Sequence, residues 1–147
     1  MVRVIGAAVV GYLVIFVVLF VAFSGAFLLL GPERAFVSGS YDVSMLWNGL
    51  SIVLGFVAAV VGGMVAAAIT KDSRGPKALA PLVLIIGLAF AIPVMRQSPT
   101  SEPRSAAVGN MEAMGKARQP LWAALLNPVI GVVGVLVGGR RRSATTA

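Results

Sequence analysis

Apolar residues run along this chain in long blocks, without the alternation of a strand or the narrow stripe of a soluble amphipathic helix. Four blocks carry no charge at all: residues 4–30, 45–70, 78–95 and 120–139. Each is 18 to 27 residues long, the length an α-helix needs to cross a hydrocarbon core about 30 Å thick. In lipid, a spanning segment must satisfy its backbone internally, so helix is the form these blocks predict. The expected fold is an all-α membrane protein of four transmembrane helices, arranged as two hairpins. The first block, at roughly 40 Å if fully helical, exceeds the core and should tilt. Cleavage near Ala22-Phe23-Ser24 is the competing reading, but the block is too long and too evenly apolar for a signal segment. A retained first helix is expected.

The polar breaks carry stop and start signals. Gly31-Pro32-Glu33-Arg34 ends the first span, because a residue before Pro avoids the helical region and Gly suits a cap. The short loop Ser38-Gly39-Ser40-Tyr41-Asp42 leads to Ser44, the expected N-cap of the second span. That span closes at Lys71-Asp72-Ser73-Arg74-Gly75-Pro76-Lys77, read as a compact turn. Pro81 falls in the first turn of the third span, where a missing N–H costs little. Pro93 should kink or end that span, and Asn127-Pro128 should kink the fourth. The long connection 96–119 begins with a Ser/Pro-rich stretch expected to be flexible. Its second half has the makings of a short interfacial helix, with Asn110 as cap, Met111, Met114 and Arg118 along one side, and Glu112 paired with Lys116.

Composition agrees with a bilayer as the solvent: 59% of residues are hydrophobic and 12% charged, and mean hydropathy is +0.97. A soluble domain of this size has too little interior for so much apolar surface. The net charge of +7 is spread between the spans, so it points to orientation in an anionic membrane and away from nucleic acid. With the amino terminus inside, Arg3, Lys71, Arg74, Lys77, Arg140, Arg141 and Arg142 face one anion, Asp72. The outer side then holds Arg34, Arg96, Arg104, Lys116 and Arg118 against Glu33, Asp42, Glu102 and Glu112. The split is +6 inside and +1 outside, which predicts both termini in the cytoplasm. Trp47 and Trp122, near the starts of their spans, are the expected interfacial anchors, together with Arg140, Arg141 and Arg142.

Small residues supply the expected glue. Gly55, Ala59 and Gly63 recur every four residues with Gly62 beside them, and Gly134 and Gly138 form a Gly-x-x-x-Gly with Gly131 one turn earlier. Such seams let helix backbones approach closely in lipid. Gly62→Leu is expected to be more damaging than Gly138→Leu, and Val60→Leu or Val135→Leu mild. Leu46, Trp47 and Leu50 match Leu121, Trp122 and Leu125 at an offset of 75. After one inserted residue, Gly55, Val57, Val61, Gly62 and Gly63 match Gly131, Val133, Val137, Gly138 and Gly139. That pattern would fit a parallel internal repeat, with the inserted residue turning Trp122 about 100° relative to its seam.

The set Gly31-Pro32-Glu33-Arg34-Ala35-Phe36, Gly39-Ser40-Tyr41, Ser44, Trp47, Gly62-Gly63, Pro120, Trp122, Asn127-Pro128 and Gly138-Gly139 resembles small four-span bacterial integral membrane proteins that carry no assigned function. The likeness covers most of the chain. It implies a bacterial cytoplasmic membrane and the four-span fold, and it implies no activity.

Chemistry is sparse. The chain has no Cys and no His, so thiol redox chemistry and the usual zinc and haem ligands are excluded. No ionisable acid or base lies within the spans, where coupled transport usually leaves one. Small multidrug transporters are defined by a Glu in their first helix, and positions 4–30 contain none. Neither an enzyme nor a cofactor is expected. Asn48 and Asn127 should hydrogen-bond across a helix interface, the alternative being a small polar pocket. The outer carboxylates Glu33, Asp42, Glu102 and Glu112 have no spacing that specifies a cation site. Two functions fit: a structural or assembly subunit, joined to other membrane subunits or to itself through the seams, and a passive conduit or small-solute binder formed on oligomerisation.

Overall fold

Four helices follow one another in the chain: α1 (Val2–Ala35), α2 (Met45–Thr70), α3 (Arg74–Met95) and α4 (Leu121–Ser143). The computed structural model describes residues 1–96 and 116–143, with side chains as far as Arg140. The Ser/Pro-rich stretch, residues 110–115 of the expected interfacial helix, and the side chains of Arg141 and Arg142 lie outside the described residues; Lys116 and Arg118, expected on that helix, lie in a turn and an extended bridge to Asp42 instead. All four helices are long and apolar enough to cross a membrane. No strand occurs among the described residues; the non-helical pairing consists of isolated bridges.

Helix ends follow from local chemistry. Gly31 sits at φ 69°, in the left-handed region where a side chain would be strained. The helix breaks there, and one more turn beginning with Pro32 carries it to Ala35. Ser44 caps α2: its Oγ accepts from the Trp47 N–H at 3.1 Å and donates to the Arg34 carbonyl at 2.6 Å. The expected seven-residue turn after α2 is shorter, because α3 begins at Arg74. The Arg74 N–H is held by Asp72 Oδ1 at 2.8 Å, and Pro76 falls in the first turn, where its missing N–H is harmless. Gly75 is required at this corner, since a Cβ there would collide with the Ala66 carbonyl of α2.

Around the bundle, α1 packs on α2 and α3, α4 packs on α2 and α3, and α2 meets α3 between them. The inner pair, α2 and α4, runs parallel. Ala59 faces Gly134, where an added Cβ would lie 2.7 Å from the Ala59 Cβ. A Cβ on Gly63 would land on the Val135 carbonyl, and a Cβ on Gly138 would land on the Val60 carbonyl. The hydrogen each glycine carries there points at a carbonyl oxygen, the arrangement of a Cα–H···O contact worth about 0.5–1 kcal/mol. Hydrocarbon tails are as apolar as Leu, so this close approach is what favours the helix pair over separate helices in lipid.

These contacts set the register. Ala59 meets Gly134 at an offset of 75 positions, and the reciprocal contacts of Gly63 with Val135 and of Val60 with Gly138, at offsets of 72 and 78, straddle that value evenly, which is also the offset of the two tryptophans. The inserted residue read from the glycines is therefore not how the helices align; Gly139 meets the ring of Pro76 instead. The local two-fold relation covers α2 and α4 only. On α2, Gly62 and Ala66 receive Gly11 and Ile15 of α1. On α4, Pro128 and Gly131 face Gly87 and Val83 of α3, and their mates on α2, Val53 and Phe56, are exposed.

Two sequence expectations change. Gly55 has no atom within 4 Å of an added Cβ, so the row of small residues on α2 stops being a seam one turn before Ala59. Val135 lies on the contact and is 0% exposed, so Val135→Leu falls where there is no room for it.

Candidate functional site

A cleft of about 330 Å³ opens between all four helices on the side away from the termini. Its walls are mostly apolar. From α1 come Phe16, Leu19 and Phe23; from α3, Val83, Phe90 and Val94. Gly55 of α2 and Gly131 of α4 also line it. The polar groups on its lining are Tyr12, Ser51, Gln119 and Asn127. Ser51 is occupied in its own helix, its Oγ donating to the Trp47 carbonyl at 2.7 Å. Pro128 borders the cleft, and its ring fits over Gly87, where a Cβ would come within 2.7 Å of it. The cleft reaches inward as far as Ala59, the centre of the α2/α4 contact.

A second groove, of about 440 Å³, shares Phe16, Leu19 and Phe23 with the first. It continues past Phe20, Ser24 and Phe27 to Phe36, Trp47 and Ala117. The rings here form a cluster: Trp47 stands 5.7 Å from Phe23 and 5.8 Å from Phe27, and Phe27 lies 6.3 Å from Phe36. Offset and edge-on ring contacts at such distances are favourable. A small bridged layer covers this end of the molecule. Val37 donates to Asp42 at 2.8 Å, Val43 to the Arg118 carbonyl at 3.0 Å, and Arg118 to the Tyr41 carbonyl at 2.9 Å. Ser40 Oγ holds Asp42 Oδ2 at 2.8 Å. Lys116 Nζ sits 5.5 Å above the ring of Tyr41, which is buried, a cation–π distance.

The residues singled out in the sequence separate here. Gly62, Gly63, Gly131, Gly134 and Gly138 are buried between helices of this one chain, as is Ala59. A second copy cannot reach those glycines, so self-association through them is replaced by packing within the chain. Asn48 and Asn127 are not brought together. Asn48 is 3% exposed in the first turn of α2 and lies outside both grooves, whereas Asn127 faces the cleft. Among the described residues no hydrogen bond joins them. Trp122 is 48% exposed and Arg140 is exposed, positions open to lipid and headgroups. Trp47 differs: its ring packs on α1.

Sequence reasoning missed the α1 lining. Its signal was present, because Phe16, Phe20, Phe23 and Phe27 repeat at spacings of four, three and four, a helical stripe. It also missed Gln119 and Ala117, which a contact 76 positions apart, Asp42 with Arg118, brings over the bundle. Among the described residues no group of three or more His, Cys, Asp or Glu could hold a metal ion.

Four apolar helices around one core, joined by close backbone contact, make this chain a multi-pass integral membrane protein. Comparison with family models, curated proteins and solved structures returned no match.

Proposed function

We propose that the chain has a structural or assembly role, as an accessory subunit of a larger membrane complex or as a homo-oligomer. One observation carries this reading: α1 buries only 11% of its most apolar window inside the molecule, against 33% for α2 and 39% for α4. Most of a helix of 34 residues is thus left for lipid or a neighbouring membrane helix. Gly6 and Gly25 of α1 have nothing within 4 Å of an added Cβ, so another backbone can approach α1 closely at both levels. The membrane we propose is the bacterial cytoplasmic membrane, with both termini inside. The support is the charge split of the whole chain and its resemblance to small four-span bacterial membrane proteins.

The test is purification in mild detergent, followed by mass measurement of the intact particle. A second copy or another membrane polypeptide is expected to travel with the chain, and Gly25→Trp on the open face should release it. A chain that runs as a monomer from native membranes would overturn the assembly role. The second reading, a binder of small apolar solutes, is favoured by the cleft with Asn127 and Gln119 on its lining.

A further inference from the structure

Four uncharged polar side chains line the cleft between the helices: Tyr12, Ser51, Gln119 and Asn127. Ser51 is engaged within its own helix. Among the described residues, the side chains of Tyr12, Asn127 and Gln119 have no hydrogen-bond partner. No unpartnered side-chain nitrogen or oxygen among them is sealed in the interior, so these three groups stay accessible. Asn127 lies six residues beyond Leu121, the start of α4, about 9 Å into the helix. An unmet amide at that depth is costly. Pro128 carries no N–H, so the Ala124 carbonyl one turn before it also lacks its helical donor. Ala124 and Pro128 both line the cleft. We propose that the cleft binds one uncharged lipid whose hydroxyl-bearing head pairs with the Asn127 amide and the Ala124 carbonyl. This rests on the reading of the cleft as a binding site and names the class of ligand it takes.

The ligand follows from the lining. No charged side chain lines the cleft, so a phosphate or ammonium drawn into it would lose its hydration without gaining a counter-charge. Phospholipid heads are thereby kept out. A plain hydrocarbon satisfies Phe16, Leu19, Val83 and Phe90 but leaves the Asn127 amide and the Ala124 carbonyl unmet. The amide both donates and accepts, whereas the carbonyl only accepts. A head that serves both needs a hydroxyl hydrogen as well as oxygen lone pairs. The hydroxyls of a glycerol head supply them, and an apolar tail takes up the rest of the cleft. At about 330 Å³ the cleft is near the lower end of small-molecule sites, about 300–1,000 Å³, so it holds one such molecule.

The test offers the intact chain in detergent three probes of one tail length: monoolein, oleoyl lysophosphatidylglycerol and octadecene. Probe retained after size exclusion is quantified by mass spectrometry, with Gly55→Phe as the background. Gly55 lines the cleft and has open space around an added Cβ, so Phe there fills the site. The parent should retain monoolein over either other probe by on the order of fivefold, the weight of one hydrogen bond. Asn127→Leu should bring monoolein retention down to that of octadecene. Gly49→Phe, equally open but outside the cleft, should behave as the parent and controls for folding. Octadecene or the charged probe retained as well as monoolein would leave the binding site standing and overturn this ligand. A monoolein preference unchanged in Asn127→Leu would overturn it too. No retention above the Gly55→Phe background would overturn both, leaving water as the occupant.

Discussion

Gly63→Leu and Gly138→Leu are each expected to disrupt the bundle, lowering its thermal aggregation midpoint in detergent by on the order of 10 °C. The obstruction in both cases is backbone. Gly63 faces the Val135 carbonyl and Gly138 the Val60 carbonyl, and neither can swing aside as a side chain can. Overpacking a core costs about 1–3 kcal/mol when neighbouring side chains yield; here whole helices must separate, so the cost lies at or above about 3 kcal/mol. Gly55→Leu is the internal control, on the same helix but with no atom within 4 Å of its added Cβ. It should melt with the parent or slightly above it, since Gly is a poor helix former. If all three variants melt together, backbone contact is not what holds α2 to α4.

This reverses the order expected from sequence, in which Gly62→Leu is the more damaging change. Gly138 is buried and α4 continues past it to Ser143. Gly62 meets chiefly the Ile15 side chain, with the Gly11 carbonyl 2.8 Å from an added Cβ. A side chain can partly give way, so Gly62→Leu should be damaging but less so than Gly138→Leu.

Leu79→Ala should carry the second large loss, about 2 kcal/mol. Leu79 is 0% exposed and fills the junction of α1, α2 and α3, among Ala8, Ile15, Ala66 and Ala80. Its Cδ2 lies 2.8 Å from the Cβ that Gly11 lacks, so the absence of a side chain on α1 is what makes room for it. In a soluble core, Leu→Ala costs about 2–5 kcal/mol, combining lost transfer energy with a cavity. In a membrane the separated helices meet hydrocarbon, so most of the transfer part cancels and the packing part remains. The loss therefore falls at the low end of the range. Leu88→Ala, at a site 42% exposed to the surroundings, should shift the melting midpoint little. Equal losses at the two sites would mean that Leu79 is not a packing residue.

The spans and several of their ends were legible because they depend on local chemistry. The second helix starts and stops at 45 and 70, where its charge-free block does, and Gly31 and Ser44 act where the chain punctuates itself. Which small residue meets which helix was not legible. On α2, Gly62 and Ala66 form one ridge and Ala59 and Gly63 the next, both made of small residues. One receives α1 and the other α4, and nothing in spacing distinguishes them. Trp47 shows the same limit. Its position near the start of a span reads as an interfacial anchor, yet Phe23 and Phe27 of α1, 24 and 20 residues before it, pack against its ring. Such contacts depend on how the first hairpin closes, which no local pattern carries.

The seam between α2 and α4 is the centre of this account, and disulfide cross-linking measures it directly. The chain contains no cysteine, so an introduced pair reports on itself alone. Ala59→Cys with Gly134→Cys places two Cβ atoms in direct contact, and a shift of about 1 Å brings them to the 3.5–4.5 Å of a disulfide. Oxidation in membranes should link this pair within one chain rapidly and nearly completely. Ala59→Cys with Leu136→Cys, whose native side chain is 38% exposed, should stay reduced. Rapid linking of the second pair with none of the first would contradict the 75-residue register and the seam with it.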